Sequence, residues 1–308
     1  MRVAVVGAGI AGIACARVLV EAGVETVVLD RGRVPGGRMA SRRLAGRVVD
    51  LGASYFVPRD AGFQAVVDQW QAQGLARPWT DRFAVWDGGL PTSKTGPVRW
   101  AAPGGLRSLV ATLATGLDVR QGAEVRQVGR RSVDGVGYDT VVLAMPDPQA
   151  LQVLAPDLTA ERAVIGDRAW QPVLALAARW DVRTWDWDGL FVHGQDVIDW
   201  VADDGSRRGD GAPVLVAHST PDFAAGHLAD PAAAAPELVA ALRSVGLPDP
   251  AEVLRVQRWT YAKPVGTRPE LFLLSDGIGL CGDGWGAAKV EAAWLSGTAL
   301  GAALTAAG

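Results

Sequence analysis

The chain has 308 residues, the length of about two domains and enough for a large buried core. Its 30 Lys and Arg against 33 Asp and Glu leave a net charge of −3, which offers no basic surface for neutralising nucleic-acid phosphates. With 49% hydrophobic and 20% charged residues, the chain buries enough apolar surface to exclude disorder. Two cysteines, Cys15 and Cys281, are too few for a zinc quartet or a disulfide framework, so no metal is expected and a reducing cytoplasm is the expected compartment. Twelve Trp against six Phe and three Tyr is an unusual balance that suits flat cavity walls or a large core, and both readings stay open.

No charge falls between Arg2 and Arg17. As a leader the stretch would end at Ala14-Cys15-Ala16, but it is too short to span a bilayer and its internal pattern points elsewhere. Val3 to Val6 reads as a strand, Gly7-Ala8-Gly9-Ile10-Ala11-Gly12 as a turn, and the residues to Val20 as a helix closed by Gly23. A dinucleotide-binding unit requires that order. Gly7 permits the tight turn, Gly9 lets backbone approach a pyrophosphate, Gly12 lets the helix pack on the strand, and the helix N-terminus at Ile10 and Ala11 faces the anion. A second strand, Val24 to Leu29, ends in Asp30, whose carboxylate suits a ribose hydroxyl. Arg31-Gly32-Arg33-Val34-Pro35-Gly36-Gly37-Arg38-Met39 then sets guanidinium forks beside flexible glycines, which suits a diphosphate; an ordinary basic loop is the plainer reading.

Asp60 is placed to cap a helix with Phe63, Val66, Val67 and a core Trp70, ending at Gly74. Alternation around Phe83 to Trp86 and Val98 to Trp100 predicts a small antiparallel sheet within 77 to 103. Leu106, Leu109, Val110 and Leu113 mark a helix after Pro103-Gly104-Gly105, and a strand from Leu117 to Val128 follows. Thr140 to Ala144 reads as a buried parallel strand stopped by Met145-Pro146. Strands are next expected at Val173 to Ala178, Gly189 to Val192 and Val214 to Ala217, with the charged, glycine-rich Asp203 to Gly211 as a solvent loop. Asp230-Pro231 caps a helix with Leu238, Ala241, Leu242 and Val245 that covers one face of that sheet. Leu280-Cys281-Gly282-Asp283 reads as a short strand before a small-residue helix that begins with Lys289, Val290 and Glu291.

Several of these blocks resemble those of one superfamily. Arg31 to Met39 resembles the second glycine motif of the amine-oxidase superfamily of flavoproteins, where a Gly-Gly-Arg turn wraps the FAD pyrophosphate. Val49 to Phe56, with Gly52, Ala53, Ser54 and Tyr55, is similar to the segment beside the isoalloxazine ring, and Val125 to the position whose backbone meets the adenine. In that setting Asp283 can bind a ribityl hydroxyl, and the helix N-terminus at Val290 and Glu291 favours the negative charge of a reduced flavin.

The chain as a whole resembles the bacterial renalase-like flavoproteins. The likeness runs through Gly36-Gly37-Arg38-Met39, Asp50-Leu51-Gly52-Ala53, Tyr55-Phe56 with Arg59-Asp60, Val98-Arg99-Trp100, Arg258-Trp259-Thr260-Tyr261-Ala262-Lys263-Pro264, Cys281-Gly282-Asp283 and Val290-Glu291 with Ala293-Trp294-Leu295-Ser296-Gly297. It implies an α/β fold, a Rossmann-type FAD-binding domain with an inserted α+β substrate domain built on an antiparallel sheet. The expected boundaries are 1–56, 104–155 and 267–308 for the FAD-binding domain, and 57–103 and 156–266 for the substrate domain. It also implies non-covalent FAD and oxidation of the 2- and 6-dihydro isomers of NAD(P)H to NAD(P)+, with O2 reduced to hydrogen peroxide. Gly284-Trp285-Gly286-Ala287-Ala288 is where members of that group vary, so Trp285 bears on the substrate more than on the cofactor.

No residue stands out as acid, base or nucleophile, and hydride transfer to a flavin does not need one. His218, Trp259, Tyr261 and Trp285 are the substrate-pocket candidates, each with a core reading beside it. The expected partners are a small molecule, a dihydronicotinamide nucleotide or an amine, and O2; neither nucleic acid nor membrane is expected. An amine oxidase or desaturase of the same superfamily and a non-catalytic FAD-binding protein are the alternatives. A flavin monooxygenase is disfavoured because Gly282-Asp283 lacks the proline-and-glycine run of that class.

Overall fold

Val3 to Val6 has no polar face, a pattern suited to a strand covered on both sides. The structure, a computed structural model that describes residues 1–306, makes it the strand Arg2–Val6 inside a six-stranded sheet. The order is Leu273–Ser275, Ile278–Leu280, Thr140–Leu143, Arg2–Val6, Glu25–Asp30, Asp118–Gln121. All neighbours pair in parallel except the first two, which are antiparallel. The helix Ile10–Glu21 follows the first strand, and the last helix, Val290–Ala306, packs along it. That contact is closer than a side chain permits, since a Cβ on Gly297 would stand 2.0 Å from the Ala11 carbonyl oxygen. Both cysteines are free and buried, and burial pushes the Cys15 thiol up to about 12 and the Cys281 thiol well above its ordinary value.

The second layer is a seven-stranded sheet in the order Glu252–Pro264, Trp170–Arg179, Val214–Ser219, Ile198–Asp203, Gly189–Val192, Arg77–Trp86, Thr92–Ala101. Its pairings are antiparallel except between Gly189–Val192 and Arg77–Trp86. The helix Ala235–Ser244 buries Leu238, Ala241 and Leu242 against Leu174, Leu176, Leu215 and Ala217 and so covers one face of the sheet, as expected. The opposite face carries Ala175, Ala177, Val214 and Val216 and packs against Val49 and Leu51. Among the described residues no helix is long and apolar enough to cross a membrane, and no group of three or more His, Cys, Asp or Glu is placed to hold a metal ion.

Most expected elements stand near their expected places, with Asp60 capping Ala61–Ala72 through Gly62 and Phe63 amides and Trp70 in the core. Three departures stand out, two failed expectations and one omission. The strand expected from Leu117 to Val128 stops at Gln121, where Gly122 turns at φ +70°. Two strands, Ile198–Asp203 and the 13-residue Glu252–Pro264, have too irregular an apolar alternation to be singled out from sequence. The third matters most. Asp203 to Gly211 is no solvent loop: Asp204–Arg208 is a helix whose Asp204, Arg207 and Arg208 are buried.

The charges there are neutralised by pairing. Asp204 receives Arg207 at 2.8 Å, Arg208 at 3.3 Å and Arg47 at 2.6 Å, while Arg208 also reaches Asp50 at 2.7 Å. Burial alone would push the Asp204 carboxyl up, but the three guanidiniums outweigh it and hold it below its ordinary value. Asp204→Ala leaves the buried Arg207 without a counter-charge, since Arg208 keeps Asp50 and Arg47 keeps Asp210, and the expected cost is about 3–5 kcal/mol, read as a lowered midpoint in chemical denaturation.

Candidate functional site

Parallel strands present their carboxyl ends along one edge, and a crevice opens where neighbouring connections leave in opposite directions. Val6, Leu29 and Ala144, at or just past the ends of three such strands, line one cavity of about 1600 Å³ that continues to the second sheet. Ligand pockets usually enclose ~300–1,000 Å³. This cavity therefore has room for a dinucleotide and a second molecule.

The glycine turn shows why those residues stand there. Gly7 has φ +114°, and a Cβ on it would lie 2.5 Å from the Ala144 carbonyl oxygen. A Cβ on Gly12 would lie 2.0 Å from the Gly7 oxygen, so Gly12 closes helix on strand and does not line the cavity. Gly9 is the reverse case, with nothing within 4 Å of its Cβ position: the space beside it is cavity. Asp30 accepts from the Ala8 and Gly32 amides, both at 2.6 Å, and so ties the turn to the end of the second strand. The Gly36 amide donates to the Ala8 carbonyl, which brings the second glycine pair alongside the first.

Apart from Gly12, every residue singled out for the cofactor lines this cavity, including Arg31, Met39, Gly52 to Tyr55, Val125 and Gly282. Some acids and bases there are partnered in ways the sequence does not reveal. The Arg38 fork is held by Asp283 at 2.8 and 2.5 Å and also donates to the Ala262 carbonyl, so each of this pair is engaged by the other. Glu291 accepts from the Arg59 and Asp60 amides, fixing the start of the last helix to the segment after Tyr55. Arg107 is different: it packs beside Gly36, its Nε is buried without a partner, and burial together with neighbouring Arg42 lowers its pKa. An unpaired guanidinium nitrogen beside the glycine turns fits an anion. Sequence reasoning missed it because Arg107 looks like an ordinary first-turn residue of a surface helix.

On the second sheet, Trp259, Tyr261 and Lys263 alternate along one strand, His218 and Asp199 stand on the second and third strands beyond it, and all five line the cavity. Trp259 also donates to the Leu51 carbonyl at 2.6 Å, joining the two layers. Tyr55 sits against Trp79, Phe83 and Trp200, and burial raises its phenol against the opposing effect of Arg99. His218 Nε2 is buried without a partner; burial first, then Lys263 and Arg207, lower the ring to about 3. Trp285 does not join them. It is 3% exposed, packed with Ile278 and Leu280 beneath the Arg268 guanidinium at 4.4 Å, because Gly282 and Gly286 bend its loop towards the core. Lys263 lies in the Arg258 to Pro264 block that the sequence already marks; Asp199 carried no such signal.

Residues 5–70 match the model of an NAD(P)-binding Rossmann-like domain. The whole chain shares the fold of putrescine oxidase, with a TM-score of 0.78 at 17% identity over 99% of both chains. It likewise shares that of cyclohexylamine oxidase from Brevibacterium oxydans IH-35A, at 0.77 and 13% identity over 99% of both. A hydroxyneurosporene desaturase from Rubrivivax gelatinosus is 41% identical over 58 residues, which is 19% of this chain and 11% of that protein. The fold is thus an α/β Rossmann-type domain joined to an antiparallel-sheet layer, as expected from the sequence.

Two substitutions separate fold from cradle. Gly9→Leu should fold normally but lose dinucleotide binding, as its side chain enters the cavity, whereas Gly12→Val should fail to fold or melt far lower; thermal melts and cofactor content check both. The neutral His218 gives a pH signature. An unfolded imidazole takes a proton below about 6.5, the folded one only below about 3, so its contribution is fully present above the unfolded value and is lost as pH falls. In His218→Gln the decline of stability from neutral pH to pH 4 should be shallower, by at most ~1.4 kcal/mol per pH unit, in denaturation series at several pH values.

Proposed function

We propose that the protein is an FAD-dependent oxidoreductase, renalase-like, that oxidises the 2- and 6-dihydro isomers of NAD(P)H to NAD(P)+ while O2 becomes hydrogen peroxide. The observation that carries it is the single continuous cavity, which joins a dinucleotide cradle to an aromatic, polar wall on the other sheet. Three features fit FAD in the cradle: the free space beside Gly9, the unpaired Arg107 Nε and the last helix beginning at the cavity. Gly7, Gly9, Ile10, Ala11, Asp30, Gly36 and Gly37 would hold the adenosine and pyrophosphate with Arg107, and Gly52 to Tyr55, Gly282, Asp283, Val290 and Glu291 the flavin end. Residues 1–56, 104–155 and 267–308 form the FAD-binding domain in this reading, and 57–103 and 156–266 the substrate domain.

When bound, FAD accepts a hydride and returns the electrons to O2. The chain's own residues bind and orient. Tyr261 and Trp259 offer flat surfaces for a nicotinamide-sized ring, and Tyr55 with Trp200 closes another side. The buried cysteines, with raised thiol pKa, supply no thiolate. A site that holds C2 or C6 for transfer holds C4 away, and a misplacement of about 1 Å costs ~100-fold.

Purified protein should be yellow and release FAD on denaturation. Under anaerobic conditions a 2- or 6-dihydro isomer should bleach the flavin quickly and ordinary NADH or NADPH slowly, with peroxide formed on admitting air. Bleaching by amines and not by the isomers would overturn this reading in favour of an amine oxidase.

A further inference from the structure

The strands Ile198–Asp203 and Val214–Ser219 pair Ile198 with Ser219 and then Trp200 with His218, so Asp199 is the extra residue of a β-bulge. Ile198 and Val201 pack under the helix-covered face, whereas Trp200 and Ala202 pack with Phe83 on the other. A bulge re-aims one side chain, and here Asp199 is turned to the cavity beside Trp200 and His218.

Three groups at this wall have unused hydrogen-bonding capacity. Asp199 Oδ1 and His218 Nε2 are both buried without a partner. A buried polar atom left unmet is costly, and two on adjoining strands of one cavity wall mark a place made to be completed. Lys263 Nζ lies 4.0 Å from Asp199 Oδ2, near enough to balance its charge and too far to use up its donors. Arg207, the other nearby cation, is committed to Asp204 and to the Ser54 and Asp50 carbonyls.

The complement of such a wall is a group that donates to a carboxylate and accepts from an ammonium while carrying no net charge. A cation would satisfy Asp199 beside Lys263, and an anion would satisfy Lys263 beside a partly buried carboxylate; either leaves a like charge close by. We propose that Asp199, His218 and Lys263 form a subsite that selects a planar ligand bearing a neutral primary amide, with its two N–H groups donating to Asp199 and to His218 Nε2 and its oxygen accepting from Lys263. The ring that carries the amide lies against Tyr261 and Trp259, which line the same stretch of cavity. The subsite rests on the proposed function only in that the same cavity takes flavin and substrate.

Three probes of one shape separate the charges: nicotinamide, nicotinate and 3-(aminomethyl)pyridine, titrated into the holoprotein by calorimetry and by perturbation of the flavin spectrum. Nicotinamide should bind at least about tenfold tighter than either charged probe. In Asp199→Asn nicotinamide should weaken by about tenfold and nicotinate should gain; in Lys263→Met nicotinamide should weaken and the aminomethyl compound should gain. Flavin content and melting temperature show that both variants are folded. An order of affinities unchanged in both variants, or a charged probe preferred by the unaltered protein, overturns the subsite. The two readings fail separately: amide selectivity that inverts as stated without reduction by dihydronicotinamide isomers retains the subsite and rejects the function, and reduction by those isomers with affinities indifferent to Asp199 and Lys263 does the opposite.

Discussion

Buried charge between the two sheets holds the cavity open in its particular shape. Arg207 donates to the Asp50 and Ser54 carbonyls as well as to Asp204, and Arg208 donates to the Ala102 carbonyl while pairing with Asp50 and Asp204. The segment from Asp50 to Tyr55 is therefore fixed by side chains that arrive from the second sheet. Asp50 reaches in the other direction, accepting from Ser41 Oγ and the Leu106 amide. A buried network of this kind contributes less to stability than its number of contacts suggests, because each ion must first be stripped of water. Its effect is on position: the alternative arrangements of this segment leave a charge buried and unpaired.

The nucleotide side of the cavity is built on close approach instead of charge. Backbone contacts at Gly7, Gly12 and Gly297 leave no space for a Cβ, so strand, first helix and last helix stack at separations that larger residues would forbid. The same closeness explains the uncharged run from Val3 to Ala16, which is buried between sheet and helix with only glycines of the turn partly open. Arg38 and Asp283 then close the loop of connections, joining the glycine-rich segment to the turn before the last helix. Arg38 also donates to the Ala262 carbonyl and Trp259 to the Leu51 carbonyl, which ties cradle and wall together.

A fold of this type hosts different chemistries, and the function must be read from the wall that faces the cradle. That wall is built on strands in which every second side chain points inward, so Trp259, Tyr261 and Lys263 arrive as a set. Beside them Asp199 Oδ1 and His218 Nε2 have no partner within the protein. Aromatic surface with convergent polar groups is the pattern of a small-molecule site.

The sequence by itself determined the nucleotide-binding half, because its signals are local: a turn, a strand and a helix within 30 residues, each glycine with a steric reason at its own position. Most of the helices were legible too, through caps such as Asp60 and stripes such as Leu238, Ala241 and Leu242. Long-range pairing was not legible. Asp204, Arg207 and Arg208 read as a solvated run because their partners Arg47 and Asp50 lie about 150 residues earlier, and nothing local distinguishes a paired charge from a hydrated one. Trp285 carried a wall and a core reading with nothing local to choose between them, and Asp199 carried no signal, since a bulge is a property of two strands in register and not of one. Periodicity and turn chemistry act between near neighbours and are written in the sequence; which buried charge meets which, and which side chain reaches the cavity, was decided only when the two sheets packed together.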